Sequence, residues 1–584
     1  MDGSCTALSL SMMDRLDQYL KYWALQRGGE TAFRFLWAGR EVETLTFGEL
    51  DAGARGIAAD LAARVDFGQP VLLAYAPGLE FIRAYFGCLY AGLVPVPAEL
   101  PRNDRGVAKL HLVAAVSHAR WMLSDNRSLA QLASRVGDVD ELPFQCLATD
   151  RLIASPQVKD GQLPPLNSDA LALVQFTSGS TAAPKGVMVT HQQLLANQRA
   201  IARAFAHDDA TVVAGWLPFF HDMGLIGNVL QPVFLGRPCV LMSPQDFIQA
   251  PVRWLRAISD YQATTSGGPN FAYATCLNKV QREDVREIDL SSWRLAFNGA
   301  EPVSADVMQA FADRFASRGF NRQAFFPCYG LAEATLFVCG GHWQPEAREP
   351  RGSVTDIKEP RVSPVNHGRA AEGCEVLIVD PERRTIQPEG VVGEIWVSGS
   401  SVASGYWNEP LVGSIFHCEC VDWPGRRWLR TGDLGFMRNR ELYPVGRLSD
   451  VIVVGGVSHY PADVEVTLHR SLQRIVPFSN GAFAVAAFAL DAEPALAVAI
   501  EFGCADLAAE QAEQLLSSLR SAVAADHGLT LDAVVLLPSG SLPRTSSGKL
   551  RRGACRDRFT ARDWNDYRLD STARVQETAP LRAG

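Results

Sequence analysis

The stretch Phe176-Thr-Ser-Gly-Ser-Thr-Ala-Ala-Pro-Lys185-Gly186 crowds hydroxyl side chains, glycines and a lysine into one short loop. Backbone N–H groups and hydroxyls at that density can cradle a polyphosphate, with an ammonium to neutralise it. The loop is not a Walker A loop, which ends in Gly-Lys-Ser/Thr, because Pro184 precedes the lysine and Gly186 follows it. A plain linker has similar composition, and lysine usage separates the two readings. The chain has 7 lysines against 48 arginines, so a generic positive charge is nearly always an arginine. Lys185 and Lys549 nevertheless stand in glycine- and hydroxyl-rich loops. A compact ammonium acts as a point charge on a reacting oxygen where the wide guanidinium fork cannot.

Other groups able to do chemistry follow. His221 and Asp222 lie in Trp216-Leu-Pro-Phe-Phe-His-Asp-Met-Gly-Leu-Ile226, but no second histidine comes at i+4 and no HExxH pattern occurs. Neither a zinc site nor a metalloprotease base is therefore indicated. Glu333 ends Tyr329-Gly330-Leu331-Ala332-Glu333, Asp433 ends Arg430-Thr-Gly-Asp433, and Arg447 follows Gly446. Carboxylates suit hard cations and hydroxyl donors, and arginine suits anions. Taken singly, each also has an ordinary structural use.

Such residues need a scaffold. Short apolar runs bounded by Gly and Pro alternate with helical patterns, which predicts an α/β fold. Val71 to Tyr75 reads as a buried strand and Leu79 to Leu93 as a helix, while Ala170 to Phe176 and Gly186 to Thr190 read as strands flanking the lysine loop. Leu194, Leu195, Gln198, Ile201, Ala202 and Phe205 fall at helical spacing, with Thr190 as N-cap. Near Val445 the pattern changes: Gly446-Arg-Leu-Ser-Asp-Val-Ile-Val-Val-Gly-Gly456 is turn-rich, and the 137 residues from 448 to 584 suffice for a second, small α/β domain.

Composition narrows the partners. The 584 residues include 64 acidic and 55 basic side chains, a formal charge of −9, and 47% are hydrophobic. This is globular composition without a general basic face, which argues against nucleic acid as a main partner. The 12 cysteines are scattered, with Cys418 and Cys420 the one close pair, so reduced thiols in a cytoplasmic protein are expected. Asp2, Asp14, Arg15, Asp17, Lys21 and Arg27 interrupt the beginning of the chain, which makes no secretory signal. Glu80 and Arg83 interrupt the apolar stretch from Val71 to Val96, so no membrane span is expected.

Thr177 to Gly186, Tyr329 to Glu333, Arg430 to Asp433, Gly446-Arg447 and Pro543-Arg-Thr-Ser-Ser-Gly-Lys549 occur in one order. Together they resemble the motif series of the adenylate-forming (ANL) superfamily of acyl-CoA synthetases, nonribosomal adenylation domains and luciferases. Trp216 to Ile226, Ser266-Gly-Gly-Pro-Asn-Phe-Ala-Tyr273 and Phe297-Asn-Gly-Ala-Glu301 narrow the likeness to fatty acyl-AMP ligases. The resemblance implies a large, multi-subdomain N-terminal adenylating domain, residues 1–447, that binds ATP and the acyl group. It also implies a small mobile C-terminal α/β domain, residues 448–584, that turns about a hinge at Asp450 and carries the catalytic Lys549. The implied cofactors are ATP and Mg²⁺. Thr177, Ser178, Gly179, Ser180, Thr181 and Lys185 would hold phosphates, and Glu333 would hold the metal. Gly299, Ala300, Glu301, Tyr329, Gly330, Leu331 and Ala332 would flank adenine, Asp433 would take the ribose hydroxyls with Arg447 close by, and His221 would orient the carboxylate and α-phosphate without serving as general base.

Burying a methylene is worth about 0.8 kcal/mol, so the acyl site should be apolar. Asp222, Met223, Gly267, Gly268 and Phe271 are its candidate residues; Leu225 and Ile226 suit core packing better. The implied reaction makes a fatty acyl-adenylate with release of pyrophosphate. The acyl group then passes to the phosphopantetheine thiol of a separate acyl carrier protein. No carrier attachment sequence is present in the chain, and the loop Gly455-Gly-Val-Ser-His-Tyr460 offers no arginine for the phosphates of free CoA. The stretch from Gly340 to Gly373, where fatty acyl-AMP ligases carry an insertion, is short. An acyl-CoA synthetase and a non-catalytic ATP-binding homologue are the alternatives.

Overall fold

The computed structural model describes residues 10–152, 167–177, 184–344, 364–410, 415–454, 457–475, 484–490, 495–502, 509–545, 549–564 and 567. The local signals around the lysine loop act as the sequence predicts. Leu171–Thr177 and Lys185–Thr190 pair antiparallel, with Thr177 opposite Lys185 at the end of the ladder. Thr190 then caps the helix His191–Ala204 in a reciprocal capping box: Gln193 N–H donates to the Thr190 hydroxyl at 3.2 Å, and Thr190 N–H donates to the Gln193 side chain at 2.9 Å. The expected strand near residue 71 is Pro70–Leu73, and the expected helix is Glu80–Tyr90.

Six parallel strands form the middle of a nine-stranded sheet, in the order Phe325–Gly330, Leu295–Gly299, Thr265–Gly268, Val213–Gly215, Cys239–Met242 and Thr31–Trp37. Antiparallel strands flank both edges. Leu295–Gly299 is buried along its whole length, as a parallel strand covered on both faces must be. A second, four-stranded sheet is wholly parallel, in the order Val94–Pro97, Pro70–Leu73, Trp121–Ser124 and Gln145–Ala148. An antiparallel sheet built around the long strand Trp423–Arg438 pairs that strand with Glu441–Arg447, placing Asp433 opposite Arg447.

Beyond the turn Leu448–Asp450 the chain builds a three-stranded sheet from Ala484–Leu490, Ala495–Glu501 and Leu531–Leu537. Period-two alternation gives this sheet two apolar faces. Leu496, Val498 and Ile500 pack with Val464, Leu468 and Leu519 of the helices Pro461–Ile475 and Ala509–His527, whereas Ala497 and Ala499 pack with Val535, Cys555 and Trp564 beside the helix Arg552–Thr560. No described helix is long and apolar enough to cross a membrane.

Candidate functional site

Ligands of open α/β sheets bind in the crevice at the carboxyl ends of the strands. Here those ends deliver Phe271 after Gly268, Ala300 and Glu301 after Gly299, and Tyr329 and Gly330 at the end of their own strand. They open into a cleft of about 2480 Å³ that also meets His221, Asp222, Met223, Leu331, Ala332, Glu333, Asp433, Arg447, Asp450 and Lys549. Residues as far apart in sequence as His221 and Lys549 are thus gathered at one opening of the large sheet.

Asp433 is held from both sides. The Tyr329 hydroxyl donates to Asp433 Oδ2 at 2.8 Å, and Arg447 Nε donates to Oδ1 at 3.0 Å. The carboxylate of Asp433 is the main reason the Arg447 pKa is raised, and burial drives the Tyr329 phenol well up. The result is a fixed acceptor with its charge partly balanced, suited to hydroxyl donors.

Glu333 stands in the short turn Ala332–Ala334. Its Oε1 accepts a hydrogen bond from the Tyr406 hydroxyl at 2.8 Å, and burial raises its carboxyl pKa against that bond. Lys185 Nζ lies 4.6 Å from the centre of the Tyr406 ring and 3.1 Å from Glu409 Oε1. Tyr406 therefore joins the lysine of the loop to the carboxylate of the turn, which nothing in the sequence reading anticipates. The signal was present only as an aromatic residue in Gly405-Tyr406-Trp407, a common enough pattern. Among the described residues no cluster of three His, Cys, Asp or Glu could hold a metal alone. A divalent ion on Glu333 would thus take most of its oxygens from a ligand.

Lys549 is tied to Thr545 by two bonds: Thr545 N–H donates to the Lys549 carbonyl at 2.7 Å, and Lys549 N–H donates to the Thr545 hydroxyl at 3.0 Å. Its charge reaches His221, Asp222 and Glu301, lowering the pKa of each. Burial is the larger influence on all three. It takes the His221 imidazole down to about 3, with Lys549 and Lys109 adding to the effect, and it raises both carboxyls. His221 is accordingly a neutral hydrogen-bonding ring at ordinary pH. Asp450 pairs with Arg552 at 3.5 Å, and the same guanidinium makes two 2.7 Å bonds to Glu465. Arg470 meets Asp306 at 3.1 Å across the cleft mouth, an exposed pair of little energetic weight.

Several expected residues sit elsewhere. Gly267, Gly268 and Gly299 do not line the cleft. A Cβ on Gly267 would come within 2.1 Å of the Phe297 carbonyl, and one on Gly268 within 2.7 Å of the Trp216 ring, so these positions let aromatic side chains close on the sheet. Ala300, at φ +69°, turns the chain so that Glu301 Oε1 accepts from Phe271 N–H at 2.6 Å, near the start of the helix Asn270–Lys279. Asp222 accepts from Met223 N–H at 2.8 Å and so heads the helix Met223–Leu230, and Leu225 and Ile226 are core residues. Ser178, Gly179, Ser180 and Thr181 lie outside the described residues, as do Gly455 and Gly456 and much of the stretch between Gly340 and Gly373.

Comparison with known proteins agrees with this geometry. Residues 20–407 match the model of the family described as AMP-binding enzyme, and residues 449–568 match the Disco-interacting protein 2-like AMP domain. The chain is 38% identical to a medium-chain-fatty-acid–[acyl-carrier-protein] ligase, JamA, of Moorena producens (strain JHB), over 92% of this chain and 94% of that protein. It is 33% identical to the long-chain-fatty-acid–AMP ligase FadD26 of Mycobacterium marinum, over 95% and 98%. The crystal structure of a fatty acyl-adenylate ligase from L. pneumophila in complex with acyl adenylate and pyrophosphate superposes with a TM-score of 0.71 at 36% identity, covering 94% of this chain and 97% of that one.

Proposed function

This chain belongs to the AMP-binding enzyme family, and we propose that it activates a fatty acid as its acyl-adenylate and passes the acyl group to an acyl carrier protein. The observation that carries the reading is the meeting, in one cleft, of the Lys549 ammonium with the neutral His221, the half-buried Glu333 and the fixed acceptor Asp433. A nucleotide anion and a carboxylate repel each other, so bringing them together calls for cations and aligned donors more than for an acid or base.

A carboxylate oxygen of the fatty acid attacks the α-phosphorus of ATP, the bond from that phosphorus to the bridging oxygen breaks, and pyrophosphate leaves. Lys549 lies between the two anions, and unit charges ~4 Å apart interact by about 4 kcal/mol at an effective dielectric of 20. Asp433, fixed by Tyr329 and Arg447, accepts the ribose hydroxyls. His221, kept neutral, donates to or accepts from the reacting oxygens without carrying a charge of its own. Lys185 exchanges its contact with Glu409 for phosphate oxygens. The donor set fits Mg²⁺, with Glu333 as protein oxygen and the phosphates as the remainder, and the ion would neutralise the departing pyrophosphate. In the second step the carrier's phosphopantetheine thiol attacks the acyl carbon, AMP leaves, and the thiol proton passes to solvent. Residues 448–584 would turn about Asp450 between the steps.

Incubation with ATP, Mg²⁺ and decanoic acid, with mass spectrometry of the products, tests this. Pyrophosphate, decanoyl-AMP and, with a holo carrier protein, its decanoyl thioester are expected. Faster transfer to free CoA than to any holo carrier would replace the second step with an acyl-CoA synthetase's, and ATP binding without pyrophosphate release would remove catalysis altogether.

A further inference from the structure

The cleft does not stop at the strand ends. Its lining runs from Pro269 and Phe271, at the carboxyl end of the strand Thr265–Gly268, to Thr265 at the amino end. Four residues of extended chain separate Thr265 from Pro269, about 13 Å of depth. At about 1.25 Å per carbon of an extended alkyl chain, that depth holds about ten carbons. Ile201, Phe205, Met223, Phe297, Leu336 and Phe337 line the way and make it apolar.

The far end is different. His207 follows the helix His191–Ala204 and lines the cavity together with Thr265. Gln231 Nε2 faces His207 Nδ1 at 3.5 Å and also donates to the Gln198 carbonyl at 3.3 Å. As Gln231 Nε2 can only donate, Nδ1 is the acceptor and Nε2 carries the hydrogen, which points to the Thr265 hydroxyl at 3.4 Å. Both contacts lie at the long limit of hydrogen bonding, so a closer partner would displace them. Burial takes the His207 pKa down to about 4, with Asp208 opposing and Arg294 assisting, so the ring is neutral. Asp208 is itself engaged by Arg294 through two 2.9 Å bonds. A tunnel for a plain alkyl end has no use for an imidazole N–H and a hydroxyl there, since covering them with methyl groups strips their water without replacement.

We propose that His207 and Thr265 form a polar end to the acyl tunnel, a subsite for a neutral hydrogen-bonding group, such as a hydroxyl, on the terminal carbon of a fatty acid of about ten carbons. The proposal deepens the reading of this cleft as a fatty-acid site and rests on it. A site built to bond a substrate hydroxyl discriminates strongly against the analogue lacking it.

The test compares 10-hydroxydecanoic acid with decanoic acid, and saturated acids from hexanoic to hexadecanoic, in acid-dependent ATP–pyrophosphate exchange. The proteins are the wild type, His207→Phe and Thr265→Val. The expected result is an optimum near ten carbons and, in the wild type, use of the hydroxy acid at least as good as of the plain one. In His207→Phe the ratio of kcat/KM for the hydroxy acid over the plain acid should fall about thirtyfold, through KM, and about tenfold in Thr265→Val. An unchanged ratio in Thr265→Val, which conserves shape, overturns the subsite even if His207→Phe fails to fold. So does an optimum at hexadecanoic acid. Thermal shifts of each protein by the two acids read the same subsite by binding, so an enzyme that adenylates neither acid would refute the proposed reaction while still deciding the fate of the subsite.

Discussion

Arg552 offers a demanding test of how the C-terminal part holds its lysine in place. Its guanidinium spans Glu465, through Nε and Nη2 at 2.7 Å each, and Asp450 at 3.5 Å. The Glu465 side chain is 12% exposed, and its Oε1 also accepts from Ala487 N–H at 3.1 Å, tying helix to strand. Replacing Arg552 by Met leaves a mostly buried carboxylate without its counter-charge. Breaking such a pair from one side costs about 3–5 kcal/mol. The lower figure corresponds to roughly 150-fold in an opening equilibrium. Amide hydrogen exchange of the strand Ala495–Glu501, read by mass spectrometry, should accelerate by about that factor in Arg552→Met. In the double variant Arg552→Met/Glu465→Gln, where the amide oxygen still serves Ala487 and no charge is stranded, at least half of the lost protection, in logarithmic units, should return. Pyrophosphate exchange should fall with protection and recover with it, because Lys549 stands three residues before Arg552. Exchange within about threefold of wild type in the single variant, or a double variant no better protected than the single, would refute the argument.

Four further outcomes are expected. Lys549→Ala should lower ATP–pyrophosphate exchange about a thousandfold by the Coulomb scale above while ATP binding, measured calorimetrically, changes little, and Lys549→Arg should not restore it. Tyr406→Phe removes the donor to Glu333 and keeps the ring beside Lys185, a loss of about 1.5 kcal/mol that should appear as roughly tenfold weaker exchange with a higher Mg²⁺ requirement. Asp433→Asn should raise the KM for ATP about tenfold or more and leave the KM for the fatty acid nearly unchanged, as steady-state kinetics would show. Desolvation lowers the pKa values of His191, His207, His221 and His367 to about 4, 4, 3 and 4, below the unfolded 6.5, so the unfolded chain binds more protons between those values. Stability must then fall as pH drops below 6.5, by up to about 1.4 kcal/mol per pH unit for each histidine, with the raised carboxyls of Asp222, Glu301 and Glu333 working against it. Urea midpoints at pH 7 and pH 5.5 measure the balance, and a midpoint that rises on acidification would contradict it.

Local chemistry was the part readable from the chain. The Thr190 cap, the strands on either side of the lysine loop and the helix near residue 80 follow from patterns within a few residues, and the structure places them within one to three residues of expectation. Side-chain partnerships across the fold were not readable. Tyr406 and Glu333 are 73 positions apart and meet only because the sheet end and the loop after Gly399 converge. Glu301 shows how a motif can give the neighbourhood and hide the bond: its carboxyl faces the cleft, yet it is engaged by the N–H of Phe271. In the sequence Gly267 and Gly268 suggest room for a ligand, and close approach is what they permit, but the approaching groups are Phe297 and Trp216. His207 carried no signal at all, being one of 11 histidines and three residues beyond a helix end.

The contact between Lys185 and Glu409 bears on how the nucleotide arrives. In the proposed role the lysine trades one anion for another, so its arrival step is a swap of partners with no naked cation beforehand. A swap conserves local charge, whereas capture by a bare ammonium would not. The nucleotide on-rate should therefore respond to added salt less steeply than the triphosphate's charge suggests, and neutralising Glu409 should steepen it.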